Sequence, residues 1–361
     1  MLGEASPSPE LPATDEPPRR ALEAAVRIGL ARPPCLVSFS GGRDSSVVLA
    51  VAAHVARRDG LPLPVPATVR APGVPASLET EWQERVVRHL ALPDWHVEEV
   101  GDELDYVGPV AQRGLARHGL LFPAQAHFHV PLLARARGGS LLTGAGGDNV
   151  LEVGPRAKAR YALRRLREGH QRTAVTPLLG VTPAAVRRAY MRRRPLRVPW
   201  LRPAAQRELE RRTLDELPPV PAAAALRWTV RRRWLDALRR SLDLLAADAG
   251  AAIHHPLLDP GFVAAVARDA GWAGHGGRSR FLPRLVGDLV PRDVLLRRDK
   301  TSFRDVYWTR HADEVVARWD GGGLDDDVIE AERLREVWTA GRPNPATALL
   351  LQSVWLAGRG R

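Results

Sequence analysis

The 361-residue sequence predicts an α/β protein, a parallel sheet with helices on both faces followed by a mainly helical C-terminal region. Three observations carry that expectation. Short apolar runs alternate with helix-patterned segments between residues 21 and 154, glycine-rich turns stand where two of those runs end, and beyond Asp148 long Arg- and Ala-rich stretches take over. Alternation of this kind is what strands joined by crossover helices produce.

The elements follow in order. Residues 1–20 are rich in Pro, Ser, Ala and acid without an apolar period, so burial cannot offset their ordering entropy and a disordered tail is expected. A helical pattern runs from Ala21 to about Leu30, and Cys35–Phe39 is a short apolar run of buried-strand type ending at a glycine pair. Ser45–Arg57 then reads as helix, Val65–Arg70 as strand, Ser77–Leu90 as helix and His96–Val100 as strand. Ala124–Ala136 reads as a helix feeding a strand at Ser140–Thr143. After Asp148 the helix-patterned segments are broken by Pro195, Pro199, Pro203 and the Pro218-Pro219 pair, and no further strand is expected. The boundary falls near Gly154-Pro155, dividing a 21–154 α/β domain from a helical 155–361 region that would hold substrate.

Composition excludes several function classes. A single cysteine, Cys35, allows neither a disulfide framework nor a cysteine-ligated metal site within the chain, and its place in a buried strand makes it a core residue. No charge-free run of about 18 apolar residues exists, and no basic segment leads into an apolar one at the N-terminus; a soluble, cytoplasmic protein with no membrane partner is expected. The net charge of +12 fits an acidic partner or merely a soluble surface. Nearly every basic residue is arginine, with lysine only at Lys158 and Lys300, so compositional bias explains much of the charge and a lysine merits inspection. The Arg-dense stretch 156–240 is most simply a set of solvated helix faces paired with acids, with a docking surface for an acidic peptide or RNA as the lesser reading. His127 and His129, or His254 and His255, have no carboxylate or cysteine completing a zinc-site spacing and are expected to be packed or in loops. The scattered tryptophans are expected to be core anchors.

The sharpest signal is Ser40-Gly41-Gly42-Arg43-Asp44-Ser45-Ser46, set between the first strand and the first following helix. Ligands of open parallel sheets bind beyond the carboxyl ends of the strands, where a helix N-terminus offers unpaired N–H groups to phosphate. Glycines let the backbone approach, the hydroxyls of Ser40, Ser45 and Ser46 add donors, and Asp44 beside an anion makes sense if Mg²⁺ lies between them. The G-x-x-x-x-G-K-[ST] phosphate loop is absent. The segment instead resembles the SGGxDS pyrophosphate loop of the ATP pyrophosphatases, which cleave ATP between its α and β phosphates.

A second glycine loop, Thr143-Gly144-Ala145-Gly146-Gly147-Asp148-Asn149, resembles the SGEGSDE loop of asparagine synthetases, with Asp148 at the position of the second metal-linked aspartate. His255-Pro256-Leu257-Leu258-Asp259-Pro260 resembles the R-x-P-F-L-D segment of those enzymes, and Pro291–Phe303 their P-x-x-V-x-x-R-x-K-x-x-F segment. Across residues 35–310 the chain is thus similar to the synthetase domain of the asparagine synthetase superfamily, which includes β-lactam synthetase and the lasso peptide cyclases. The Trp82-Gln83-Glu84 and Pro199-Trp200-Leu201 segments resemble the lasso cyclase branch.

The resemblance implies an AMP- and pyrophosphate-forming ligase using ATP and Mg²⁺, which adenylates a carboxylate and couples it to an amine. Ser40, Gly41, Gly42, Asp44, Ser45 and Ser46 would hold pyrophosphate and metal, and Asp148 would be the second metal-side carboxylate. Backbone near Ser38, Val69 and Gly144 would receive adenosine, and Lys300 would meet charge developing at the α-phosphate and in the amide-forming step. Two departures matter: only 34 residues precede the first strand, which implies no glutaminase domain, and Ala145 replaces the acidic residue that assists amine attack. Both favour a peptide or small-molecule carboxylate that brings its own amine, with a precursor peptide or a protease as the implied partner. The alternatives are an ammonia-using enzyme fed by a partner, a tRNA-modifying ligase and a non-catalytic relic; nucleic acid is not expected, and intact Asp44, Asp148 and Lys300 argue against the relic.

Overall fold

The computed structural model describes residues 10–170, 177–297, 302–340 and 344–359. Five strands, β1 Cys35–Ser38, β2 Val65–Arg70, β3 His96–Glu99, β4 Ser140–Leu142 and β5 Ala252–His254, form one parallel sheet in the order β3-β2-β1-β4-β5. The central strand β1 is wholly apolar through Cys35, Leu36 and Val37, as a strand covered on both faces must be. Val37 lies opposite Pro66 on one side and Leu142 on the other.

The first half contributes helices α1 Pro18–Leu30, α2 Arg43–Asp59, α3 Thr80–His89, α4 Pro109–His118, α5 Val130–Arg135 and α6 Gly147–Val150. The second half contributes α7 Pro155–Arg167, α8 Ala184–Arg193, α9 Pro203–Asp215, α10 Ala222–Val230 and α11 Arg233–Ala249. It continues through α12 Pro260–Ala270, α13 Arg278–Val286, α14 Arg292–Leu296, α15 Arg304–Tyr307, α16 Arg310–Arg318, α17 Ala331–Thr339 and α18 Ala348–Arg359. Helix α2 buries an unbroken run from Ser45 to Ala53 and stops at Gly60, whose φ of 64° closes the last turn. It packs on β1 beside α1, and α1 also lies against β4 and β5. Helix α5 packs on β2 and β4, and α11 on α5 and β5.

Three sequence-based expectations are corrected. A fifth strand exists in the region expected to be helical: Ile253 of β5 lies opposite Leu141 of β4. Three residues followed by His255 carry too little apolar pattern to register as a strand, and only the pairing with β4 makes them one. Helix α1 starts at Pro18, within the stretch expected to be a tail, and the Arg19 guanidinium bonds the Leu285 carbonyl and Asp288 at 2.8 and 3.2 Å. The Ala124–Ala136 helix is split, with a 3₁₀ turn at Ala126–His129 leading into α5. Leu22, Val26 and Val47 share one apolar cluster with Leu226, Val263 and Phe281. Trp200, Trp319 and Trp338 are buried together in a C-terminal cluster, whereas Trp272 is exposed.

Candidate active site

Beyond Ser38 the chain turns through Ser40, Gly41 and Gly42 directly into the first turn of α2. Gly41 has φ +83°, and a Cβ there would lie 2.9 Å from Cγ of Gln83, so both conformation and space require glycine. The serines brace the turn. Ser40 N–H donates to Ser45 Oγ at 3.3 Å, Gly42 N–H to Ser40 Oγ at 3.2 Å, and Ser45 Oγ to the Gly42 carbonyl at 3.1 Å. Ser46 is fully buried and donates its hydroxyl to the Gly42 carbonyl at 2.8 Å, so it supports the loop from behind while Ser38, Ser40, Gly42 and Ser45 line the cleft.

Residues from distant elements hold the loop's outer side. Gln83 of α3 donates to the Ser40 carbonyl at 3.1 Å, and the buried Arg297 donates to the Gly41 carbonyl at 3.0 Å. Arg297 also forms a two-pronged ion pair with buried Glu79, at 2.7 and 3.1 Å, and lies 4.8 Å over the Trp82 ring. Gln83 and Arg297 lie within segments matched to the family, but nothing in the sequence marked either, or Glu79, as a support of the loop. Their link to the loop is a long-range contact.

The second loop begins where β4 ends. A Cβ on Gly144 would lie 2.8 Å from the Ser45 nitrogen, and one on Gly147 would overlap the Asp44 carboxylate. The glycines therefore let the two loops close on each other. Thr143 Oγ1 lies 2.7 Å from His255 Nδ1 and accepts from Ala145 N–H at 3.3 Å, which ties this loop to the end of β5.

Asp44 and Asp148 converge on one side chain, that of Arg278 at the start of α13. The guanidinium lies 3.0 Å from the Asp44 carboxylate, 3.4 Å from Glu152, and in direct contact with Asp148. Arg278 is buried, and desolvation lowers its pKa while Asp44 opposes that shift. As an arginine it stays charged at any ordinary pH. A fixed guanidinium beside a helix N-terminus suits a bidentate phosphate ligand. No motif in the sequence marked it.

These loops line a cleft of about 530 Å³ together with Phe128, Leu238, Leu242, Phe303 and Tyr307. His129 also lines it; burial pushes its pKa down to about 4, and burial with the nearby His129 pushes that of His255 down to about 3. His127 is buried with its ring nitrogens 2.8 and 3.1 Å from the Leu104 and Ala124 carbonyls, a packed histidine as expected. No cluster of three or more His, Cys, Asp or Glu suited to a metal occurs among the described residues. Asp44 and Asp148 nonetheless fit a Mg²⁺ that arrives with phosphate, since such an ion takes one or two carboxylates and fills its remaining positions with phosphate oxygens and water.

Of the residues expected in the site, Ser38, Ser40, Gly42, Asp44, Ser45, Gly144 and Asp148 line the cleft. Gly41 lies in the turn just behind it. Val69 has its side chain in the core next to Leu36 and Ala67, near the end of β2. Lys300 lies outside the described residues; Arg297 and Phe303 on either side of it in sequence both line the cleft.

A parallel sheet with a glycine-serine turn at its central strand, feeding the N-terminus of α2, defines the PP-loop ATP pyrophosphatase class. Within that class the chain belongs to the asparagine synthase family, whose model matches residues 18–356. It is therefore a member of a family of ATP-dependent amide-forming ligases. No curated protein is matched by the chain. No helix among the described residues is long and apolar enough to cross a membrane.

Proposed function

We propose that the protein splits ATP into AMP and pyrophosphate by adenylating a carboxylate, then transfers the acyl group to an amine borne by the substrate itself. The observation that carries this reading is the closure of the two glycine loops, which brings the α2 N-terminus, Asp44, Asp148 and Arg278 to one point in the cleft. The N-terminal turn of α2, with its positive dipole end, would face the departing pyrophosphate. Arg278 would exchange its carboxylate partners for phosphate oxygens, and Asp44 and Asp148 would take the Mg²⁺. Bound there, the ion supplies positive charge against the phosphates.

In the first step a carboxylate oxygen bonds to the α-phosphorus as the bond to the β-phosphate's bridging oxygen breaks. In the second the amine nitrogen bonds to the acyl carbon, AMP leaves with its oxygen, and the nitrogen gives up a proton. Lys300, at the position of the lysine in the matching family segment, would meet the charge on the α-phosphate in both steps. Ala145 brings no carboxylate to the amine side, which supports an amine held in place by its own substrate, as in ring closure. Phosphorus NMR of a turnover mixture tests the reading: AMP and pyrophosphate are expected, and ADP with free phosphate would overturn it.

A further inference from the structure

One patch of the cleft lining is apolar. Leu238 and Leu242 of α11 form it with Phe128, Phe303 and Tyr307. Phe128 meets Phe303 edge-on at 5.6 Å and Tyr307 at 6.3 Å, so the rings hold one another in place before any ligand arrives. His129, edge-on to Phe128 at 5.4 Å, adds no charge at neutral pH, because burial keeps its imidazole unprotonated.

The arginines that line the cleft are engaged with carboxylates of the protein. Arg278 meets Asp44 at 3.0 Å, Arg297 meets Glu79 at 2.7 Å, and Arg43 lies 4.0 Å from Glu152. A free amino acid such as aspartate would bring a second carboxylate and an ammonium group beside its reacting carboxylate. The rings themselves offer neither group an ion-pair partner, and burial of an unpaired charge is strongly unfavourable.

Resting on the amide-ligase reading above, we infer that the acyl substrate carries an apolar or aromatic group, and no free charge, next to its reacting carboxylate. An acidic residue inside an apolar peptide segment has that chemistry; a free amino acid does not. The aromatic wall then acts as the acyl-specificity surface.

Carboxylate-dependent ATP–pyrophosphate exchange tests this on the wild-type chain, with N-acetyl-aspartyl-phenylalanine amide and free L-aspartate as probes. The blocked dipeptide is expected to support exchange at least about tenfold faster than aspartate, the range over which apolar pockets discriminate. Phe128→Ala and Phe303→Ala are expected to raise its half-saturating concentration about tenfold while the Kd for ATP stays unchanged. Exchange with aspartate that equals or exceeds that with the dipeptide would overturn the inference and leave adenylation standing. Weakened ATP binding in a Phe128→Ala protein of normal melting temperature would put adenine on this wall and also overturn it. Exchange with neither probe overturns it too, and only if ADP is the product does the amide-ligase reading fall with it.

Discussion

Arg278→Ala separates a phosphate ligand from a structural clamp. The guanidinium of Arg278 is buried and 3.0 Å from Asp44, whose side chain is 17% exposed; Asp148 and Glu152 are 67% and 49% exposed. Only the Asp44 pair sits in a setting where a charge-assisted bond keeps most of its strength, about 2 kcal/mol. The exposed partners add no more than about 0.5 kcal/mol between them. The loss is thus about 2.5 kcal/mol, and with an unfolding entropy of about 2 cal/mol/K per residue the melting temperature should fall by about 3 °C. Turnover should fall much further, on the order of 10² or more, if the guanidinium meets charge in the transition state. Arg278→Lys keeps the charge but loses the fork, so its turnover should lie between the two. Removing the guanidinium also leaves Asp44 and Asp148 to bind a divalent ion directly, so Mg²⁺ alone should raise the melting temperature of Arg278→Ala more than that of the wild type. The assays are scanning fluorimetry with and without Mg²⁺ and pyrophosphate release under saturating ATP. Turnover within twofold of wild type, with the same thermal loss, would refute the phosphate role.

Other expectations are equally concrete. Asp44→Asn and Asp148→Asn keep shape and remove charge, so each should shift the Mg²⁺ dependence of turnover to higher concentration with the fold intact; an unaltered magnesium titration would remove them from the site. Lys300→Arg should lower kcat on the order of 10² with little change in melting temperature, because a broad planar guanidinium replaces a compact ammonium; near wild-type kcat would refute a role at the α-phosphate. The pKa values of His129 and His255 are lowered by burial from 6.5 to about 4 and about 3, so the unfolded chain binds more protons below 6.5 and stability is lost as pH falls. Between pH 7 and 5 each should contribute a loss of about 2 kcal/mol. Urea unfolding of His255→Gln at the two pH values checks this, since its pH-dependent loss should be smaller by about that amount.

Much of the fold was legible because strand and helix periods differ and β1, β2 and β4 carry mostly apolar runs. Both glycine loops could be read because their chemistry is local: a turn with φ above zero, hydroxyls one turn apart, a carboxylate on each. The elements that escaped notice fail on the same ground. Strand β5 is three residues long, and α4 was passed over between two clearer segments. Glu79, Gln83, Arg278 and Arg297 lie from tens to more than two hundred residues from the loop they serve, with no spacing that ties them to it.

Sequence by itself determined the class of nucleotide loop, the pair of carboxylates and the family, because these rest on backbone conformations and residue types that neighbours in the chain impose. The tertiary structure decided what surrounds them. It placed Arg278 between Asp44 and Asp148, locked the phosphate loop through Arg297 and Glu79, turned Ser46 away from the cleft, and faced the site with an aromatic wall. Such contacts depend on how helices from the second half of the chain pack over a sheet built largely from the first. Their geometry is set by the shared core, and no local pattern encodes it.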